Sequence, residues 1–193
     1  LVTVKSAATE EAGRALAGVL GDGAIVASLQ NGVRNPETLR IALPGRRVLA
    51  GMVPFNVIRR GPGAYHRASS GQAMLAAGDA AAPLAGAFRA AGVPLELRAD
   101  MPAVQWAKLV MNLNNAINAL SGRPLVEEIG DRDFRRVYSA ALHEALDVLA
   151  AADQPVAGIL RVPPRWVARI LAMPNWAFRR IAARVWSMVH TPV

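Results

Sequence analysis

From Leu1 to Arg98, short apolar runs of strand length alternate with helix-length segments, and beyond Pro102 no strand-length run recurs. That change of pattern restricts the fold more than anything else in the chain. Strands alternating with helices build a sheet covered by helices, and helices that follow without strands must bury their apolar faces on one another. Residues 1–5 read as a strand. Ala7 to Leu20 reads as a helix, with Thr9-Glu10-Glu11 in its first turn and Gly21 as its stop. Strand 24–28, helix 36–42 and strand 47–51 follow, an alternation that predicts a parallel sheet. Between Val53 and Leu75, short extended runs around Gly61-Pro62-Gly63 predict antiparallel strands. An alanine-rich helix over 80–91 and a strand over 95–98 complete this part. Helices are expected over 102–121, 132–152, 163–172 and 175–189, separated at Pro124, Pro155, Pro163-Pro164 and Pro174. The expected class is α/β, with a sheet domain over 1–99 and a helical domain over 100–193.

Composition removes several function classes. The chain has no cysteine, which excludes disulfides, cysteine-ligated zinc and a thiol nucleophile. His66, His143 and His190 have no metal-ligand spacing, so no metal is expected. The net charge of +8 suits anionic partners without choosing among them. Aromatics are only 5% and no basic stripe is interleaved with them, which argues against nucleic acid. No apolar run reaches transmembrane length and no secretory leader is visible, so a soluble cytoplasmic protein with no membrane association is the expectation.

Only two of the 22 basic side chains are lysines, Lys5 and Lys108. Arginine can replace lysine wherever charge alone is wanted. It cannot where an ammonium must release a proton, because guanidinium does not deprotonate in proteins. Lys108 lies in Gln105-Trp106-Ala107-Lys108-Leu109-Val110-Met111-Asn112-Leu113-Asn114-Asn115. On a continuous helix, Lys108, Asn112 and Asn115 fall within an arc of roughly 60°. Apolar residues occupy much of the remaining surface. The stripe fits a proton donor flanked by amides that orient a small polar ligand. A helix packing its asparagines against neighbouring backbone would show the same pattern.

A second signal is Leu29-Gln30-Asn31-Gly32-Val33, which follows the buried strand Ala24–Ser28 and precedes a helix opened by Pro36. Loops just past the carboxyl ends of strands are where open α/β sheets bind ligands. Asn-Gly is also a common turn dipeptide. Lys5 occupies the equivalent place after the preceding strand.

Val4-Lys5, Ser28-Leu29-Gln30-Asn31-Gly32-Val33 and Trp106-Ala107-Lys108 followed by Asn112 resemble the ketopantoate reductase family (2-dehydropantoate 2-reductase). Their order and spacing fit over nearly the whole chain. The resemblance implies the C-terminal half of a Rossmann-like NADP-binding domain over 1–99. After it, over 100–193, would come part of a helical substrate and dimerisation domain, like the C-terminal domain of 6-phosphogluconate dehydrogenase. It implies reduction of 2-dehydropantoate to pantoate, or of a related 2-oxo acid, with NADP(H) as cofactor, in pantothenate biosynthesis. It leaves a homodimer open. Lys108 would be the general acid, supported by Glu144. Lys5 and Asn31 would contact the cofactor, and Asn31, Lys108, Asn112 and Asn115 the substrate, in a cleft between the domains.

The chain departs from the family pattern in three places. The second substrate asparagine is expected eight residues after the lysine. Ala116 stands there, and Asn115 takes the role one residue earlier. No Gly-x-Gly-x-x-Gly turn is present, and Gly18 to Gly23 has the wrong spacing. The family's late serine and glutamate have no counterpart before Val193, and Ser187 does not fit the pattern. With Leu1 in place of a methionine, these departures lead to the expectation of an internal piece of a longer protein, with little reductase activity by itself. A rival reading comes from the tail. Arg161 to Val193 holds six arginines, no acid, and Trp166, Trp176 and Trp186. An inactive relative could use such helices on an anionic membrane surface or on a partner protein.

Overall fold

The computed structural model describes residues 1–93, 95–158 and 162–189, without the side chains of 184–189. It divides into two compact units, Leu1–Gln105 and Trp106–Val193.

The first unit carries a four-stranded sheet. β1 (Ile25–Ser28), β2 (Arg47–Met52), β5 (Ala73–Ala76) and β6 (Leu95–Arg98) lie side by side in that order. β3 (Val57–Gly61) and β4 (Ala64–Arg67) form a separate antiparallel hairpin. The sheet is mixed, which combines the parallel pairing expected for the strands before Val53 with the antiparallel strands expected between Val53 and Leu75. β1 pairs with β2 in parallel and β5 with β6 in parallel, while β2 and β5 are antiparallel. The connections explain this. A helix, α2 (Asn35–Ala42), carries the chain from β1 to β2, and α3 (Ala81–Ala90) carries it from β5 to β6. Only the hairpin joins β2 to β5, and without a crossover helix the chain returns antiparallel.

Successive side chains on β1 point to opposite faces. Val26 packs with Leu39 of α2, with Leu43 just past its end and with Leu16 of α1 (Thr9–Ala17). Ala27 packs on the other face with Ala81 and Leu84 of α3. The sheet is therefore covered on both sides.

The strand expected over 1–5 reduces to a single parallel bridge between Val2 and Ser28. Val2 is buried, and its amide and carbonyl bond Ala27 and Leu29. Beyond it the Gln30 side chain takes the Val4 carbonyl at 2.8 Å, so a side chain replaces the next rung of the ladder. A 3-10 turn over Ser6–Ala8 then leads into α1, which starts later and ends earlier than 7–20.

The second unit is helical. α4 (Met101–Asn112) crosses its boundary. α5 (Asn114–Ser121), α6 (Leu125–Gly130), α7 (Arg132–Ala151), α8 (Pro164–Ala172) and α9 (Asn175–Val189) follow. The continuous helix expected over 102–121 is interrupted at Leu113. That residue keeps helical dihedrals (φ −57°, ψ −29°), but its N–H bonds the Val110 carbonyl, three residues back. α6 was not anticipated. Its six residues follow Pro124 and are too few to show a helical period. The core is a stripe of α7, Tyr138, Leu142, Leu146 and Leu149, packed with Val110 of α4 and with Ala168 and Leu171 of α8.

Arg135 is fully buried and binds the helix ends together. Its guanidinium donates to the carbonyls of Ile129, Gly130, Leu171 and Met173 and to Asn175 Oδ1, at 2.8–3.1 Å. It also stacks on Phe178, 4.1 Å from the ring centre. No described helix is long and apolar enough to cross a membrane.

Candidate active site

In the first unit, the loop past β1 is held from beneath by a chain of buried polar groups. Ser28 Oγ donates to Gln30 Oε1 at 3.0 Å. Gln30 Nε2 donates to Thr9 Oγ1 at 2.7 Å as well as to the Val4 carbonyl. Thr9 Oγ1 donates to Asn35 Oδ1 at 3.0 Å, and Asn35 Nδ2 donates to the Asn31 carbonyl at 2.7 Å and to Ser6 Oγ at 3.1 Å. Thr9, Ser28, Gln30 and Asn35 are all buried, so the bonds among their side chains are made away from water, where a satisfied network fixes geometry. Gly32 has φ +97°, a left-handed value that a side chain would strain.

The network ties down the backbone of Asn31 and leaves its side chain exposed, with no hydrogen bond to any described residue. Lys5 is exposed just before the 3-10 turn, and the next residue, Ser6, donates to the Asn31 carbonyl at 3.3 Å. Lys5 and Asn31 are thus brought to one end of the sheet, as expected. Thr9 read in the sequence only as a helix-start residue and Asn35 was not singled out, because nothing there marked either as a support of this loop.

In the second unit, Lys108 is half-buried on α4 and makes no hydrogen bond or ion pair with a described residue. Desolvation pulls its pKa below the ordinary lysine value. Asn112, one turn on, is also half-buried, while Asn115 lies beyond the break in α5 and is exposed. Glu144 is exposed on α7 and forms no ion pair with Lys108. Two buried groups escaped sequence reading. Glu128 of α6 accepts from Asn114 Nδ2 at 3.1 Å, and Tyr138 of α7 donates to the Met111 carbonyl at 3.1 Å. Burial, then the charge of Glu128, pushes the Tyr138 phenol up to about 12, so it remains a donor through the physiological range.

A groove of about 450 Å³ elsewhere in this unit is lined by Leu146, Gln154, Pro163, Trp166, Arg165 and Arg169, among others. It contains none of the expected site residues, and its cations are guanidiniums, which cannot deliver a proton. Trp166 and Trp176 are exposed, on α8 and α9, whereas the Trp186 side chain and residues 190–193 lie outside the described residues, as does Arg161. Among the described residues no group of three acidic or histidine side chains could hold a metal ion.

Residues 1–80, which include the Lys5 turn and the Asn31 loop, match the family model described as ketopantoate reductase PanE/ApbA. This segment is similar to the ketopantoate reductase family. A 2-dehydropantoate 2-reductase of Halobacterium salinarum is 35% identical over 127 residues, 63% of this chain and 42% of the relative. The chain thus spans less than half the length of that curated relative. The crystal structure of a PanE/ApbA family ketopantoate reductase from Ralstonia eutropha superposes with a TM-score of 0.73 at 28% identity, covering 95% of this chain and 73% of the other. D-mandelate dehydrogenase, solved with NADH and anilino(oxo)acetate, shares the fold at a TM-score of 0.72 and 16% identity, over 92% of this chain and 59% of its own. The mixed sheet followed by helices is the architecture of ketopantoate reductase structures, and the enzymes of the family are oxidoreductases.

Proposed function

We propose that the natural protein reduces 2-dehydropantoate, or a closely related 2-oxo acid, with NADP(H), in pantothenate biosynthesis. The observation that carries this is Lys108, a half-buried ammonium with a lowered pKa and no partner among the described residues, one helical turn from the half-buried amide of Asn112.

The residues of the first unit suit the reacting end of a dinucleotide. The Asn31 amide is exposed, with no hydrogen bond to a described residue, on a loop whose backbone is fixed, and Lys5 lies beside the residue that bonds this loop. These two would hold the ribose–nicotinamide end of NADP(H). When bound, the cofactor supplies the hydride that reduces the carbonyl carbon.

The chain's own work is polar. As the carbonyl becomes an alkoxide, Lys108 neutralises the developing charge and gives its proton to that oxygen, leaving a neutral amine to be reprotonated from water. Desolvation helps, because an ammonium with a lowered pKa gives up its proton more readily. Asn112 and Asn115 would orient the substrate by amide hydrogen bonds. Glu144 has water around it in place of contact with Lys108, and we assign it a supporting role by resemblance alone.

The test is oxidation of NADPH and of NADH by the natural full-length protein, with ketopantoate and with bulkier aryl 2-oxo acids. Preference for ketopantoate with NADPH supports the reading. Turnover confined to aryl 2-oxo acids with NADH would replace it with a dehydrogenase of the mandelate type.

A further inference from the structure

The face that bears Lys108, Asn112 and Asn115 is interrupted at Leu113, and the interruption is held from both sides. On the α4 side, the Met111 carbonyl lies in the last turn, where helical carbonyls lack their usual partners, and the Tyr138 hydroxyl of α7 bonds it at 3.1 Å. On the α5 side, the first residue, Asn114, is buried and its amide is held by the fully buried Glu128 of α6 at 3.1 Å. Two other helices thus grip the residues that flank one tightened turn.

Stability does not explain this grip. Glu128 Oε1 and Asn114 Oδ1 are both buried without a hydrogen-bond partner. Unsatisfied buried acceptors cost free energy, and an apolar pair of the same volume would avoid that cost. Geometry does explain it. A residue in the tighter 3-10 step advances about 120° about the axis in place of about 100°. From Lys108 to Asn115 the chain therefore completes roughly two full turns, which puts Asn115 in line with Lys108. The asparagine that stands one place early in the sequence is rotated toward the lysine by the break.

We infer that Glu128 and Tyr138 are positioning residues for the amide face: by clamping the break at Leu113 they set Asn112 and Asn115 in register with Lys108. This rests on the substrate-binding role proposed above for the two asparagines.

The test compares Glu128→Leu, Glu128→Gln and Tyr138→Phe in the natural full-length protein, by steady-state kinetics and thermal melting. Glu128→Leu leaves the buried Asn114 amide without its acceptor, so it should melt somewhat lower and raise KM for the 2-oxo acid by about tenfold or more, with KM for NADPH unchanged. Glu128→Gln keeps an acceptor for Asn114 and should retain the wild-type KM. Adding Asn115→Ala to Glu128→Leu should cost little more, because both changes remove one function. Variants that melt like the wild type and keep its KM would overturn the clamp, as would fully additive losses. Should Glu128→Leu fail to fold, Tyr138→Phe, which loses only a hydroxyl, carries the same comparison. NMR resonances of the Asn112 and Asn115 side-chain amides read the clamp without turnover. They move in Tyr138→Phe and Glu128→Leu if it holds and stay fixed if it does not, even if the wild type proves not to be a reductase.

Discussion

Lys108 is a cation that the fold half-buries with no anionic partner among the described residues. Its pKa is lowered by desolvation, so the folded chain favours the neutral amine relative to an exposed lysine. The sign of two consequences follows. The donor form is the ammonium, so the kcat/KM of the natural protein should fall on the alkaline side, with a midpoint below the ordinary lysine range. A depressed pKa also means that the group contributes stability only at high pH and loses it as pH falls. At neutral pH the charged form is a burden, so Lys108→Met should melt no lower than the wild type while activity is lost, a separation that melting and assay together would show. A fall in both would mean that Lys108 is a structural residue.

At the scale of elements, the loop over residues 29–33 depends on a close approach to β2. A Cβ on Gly51 would lie 2.6 Å from Leu29 Cδ2 and 3.0–3.1 Å from the carbonyls of Met74 and Ser28. Gly51→Val should therefore cost about 1–3 kcal/mol in urea unfolding and displace the loop that presents Asn31. An unchanged midpoint would show that the loop yields freely. Most of this architecture was legible in the sequence because it is local. Strand 95–98 and helix 175–189 appear with the bounds their patterns indicate, and the Pro62-Gly63 turn closes the β3–β4 hairpin. What was hidden is what depends on partners distant in sequence. The strand at residues 1–5 gives way because Gln30, 26 residues on, claims the Val4 carbonyl. The helix over 102–121 has the right period, and only Tyr138 and Glu128, from other helices, reveal why it breaks at Leu113. The site divides the same way. Lys108 and the Asn31 loop stand out by residue type, while Thr9, Asn35, Glu128 and Tyr138 act through side-chain bonds that no spacing rule exposes.

At the scale of the whole molecule, the two units rest on different kinds of order. The first is a covered sheet whose polar network lies under one loop. The second closes its helix ends on the single cation Arg135, with five acceptors around it. Lysine cannot reproduce that fork of donors. Arg135→Lys should cost about 2–3 kcal/mol, and hydrogen exchange should show lost protection in Trp106–Val193 with the sheet amides of Leu1–Gln105 retained. Uniform loss would mean that the chain unfolds as one cooperative body. The account as a whole depends on the proton that Lys108 is assigned to give. The most direct measurement is ketopantoate-dependent NADPH oxidation by the natural full-length protein, for wild type, Lys108→Ala and Lys108→Arg. The account predicts that both variants lose about 10²–10⁴ in kcat, with the arginine as inactive as the alanine because it holds its charge and keeps its proton. An arginine variant that turns over like the wild type would contradict it.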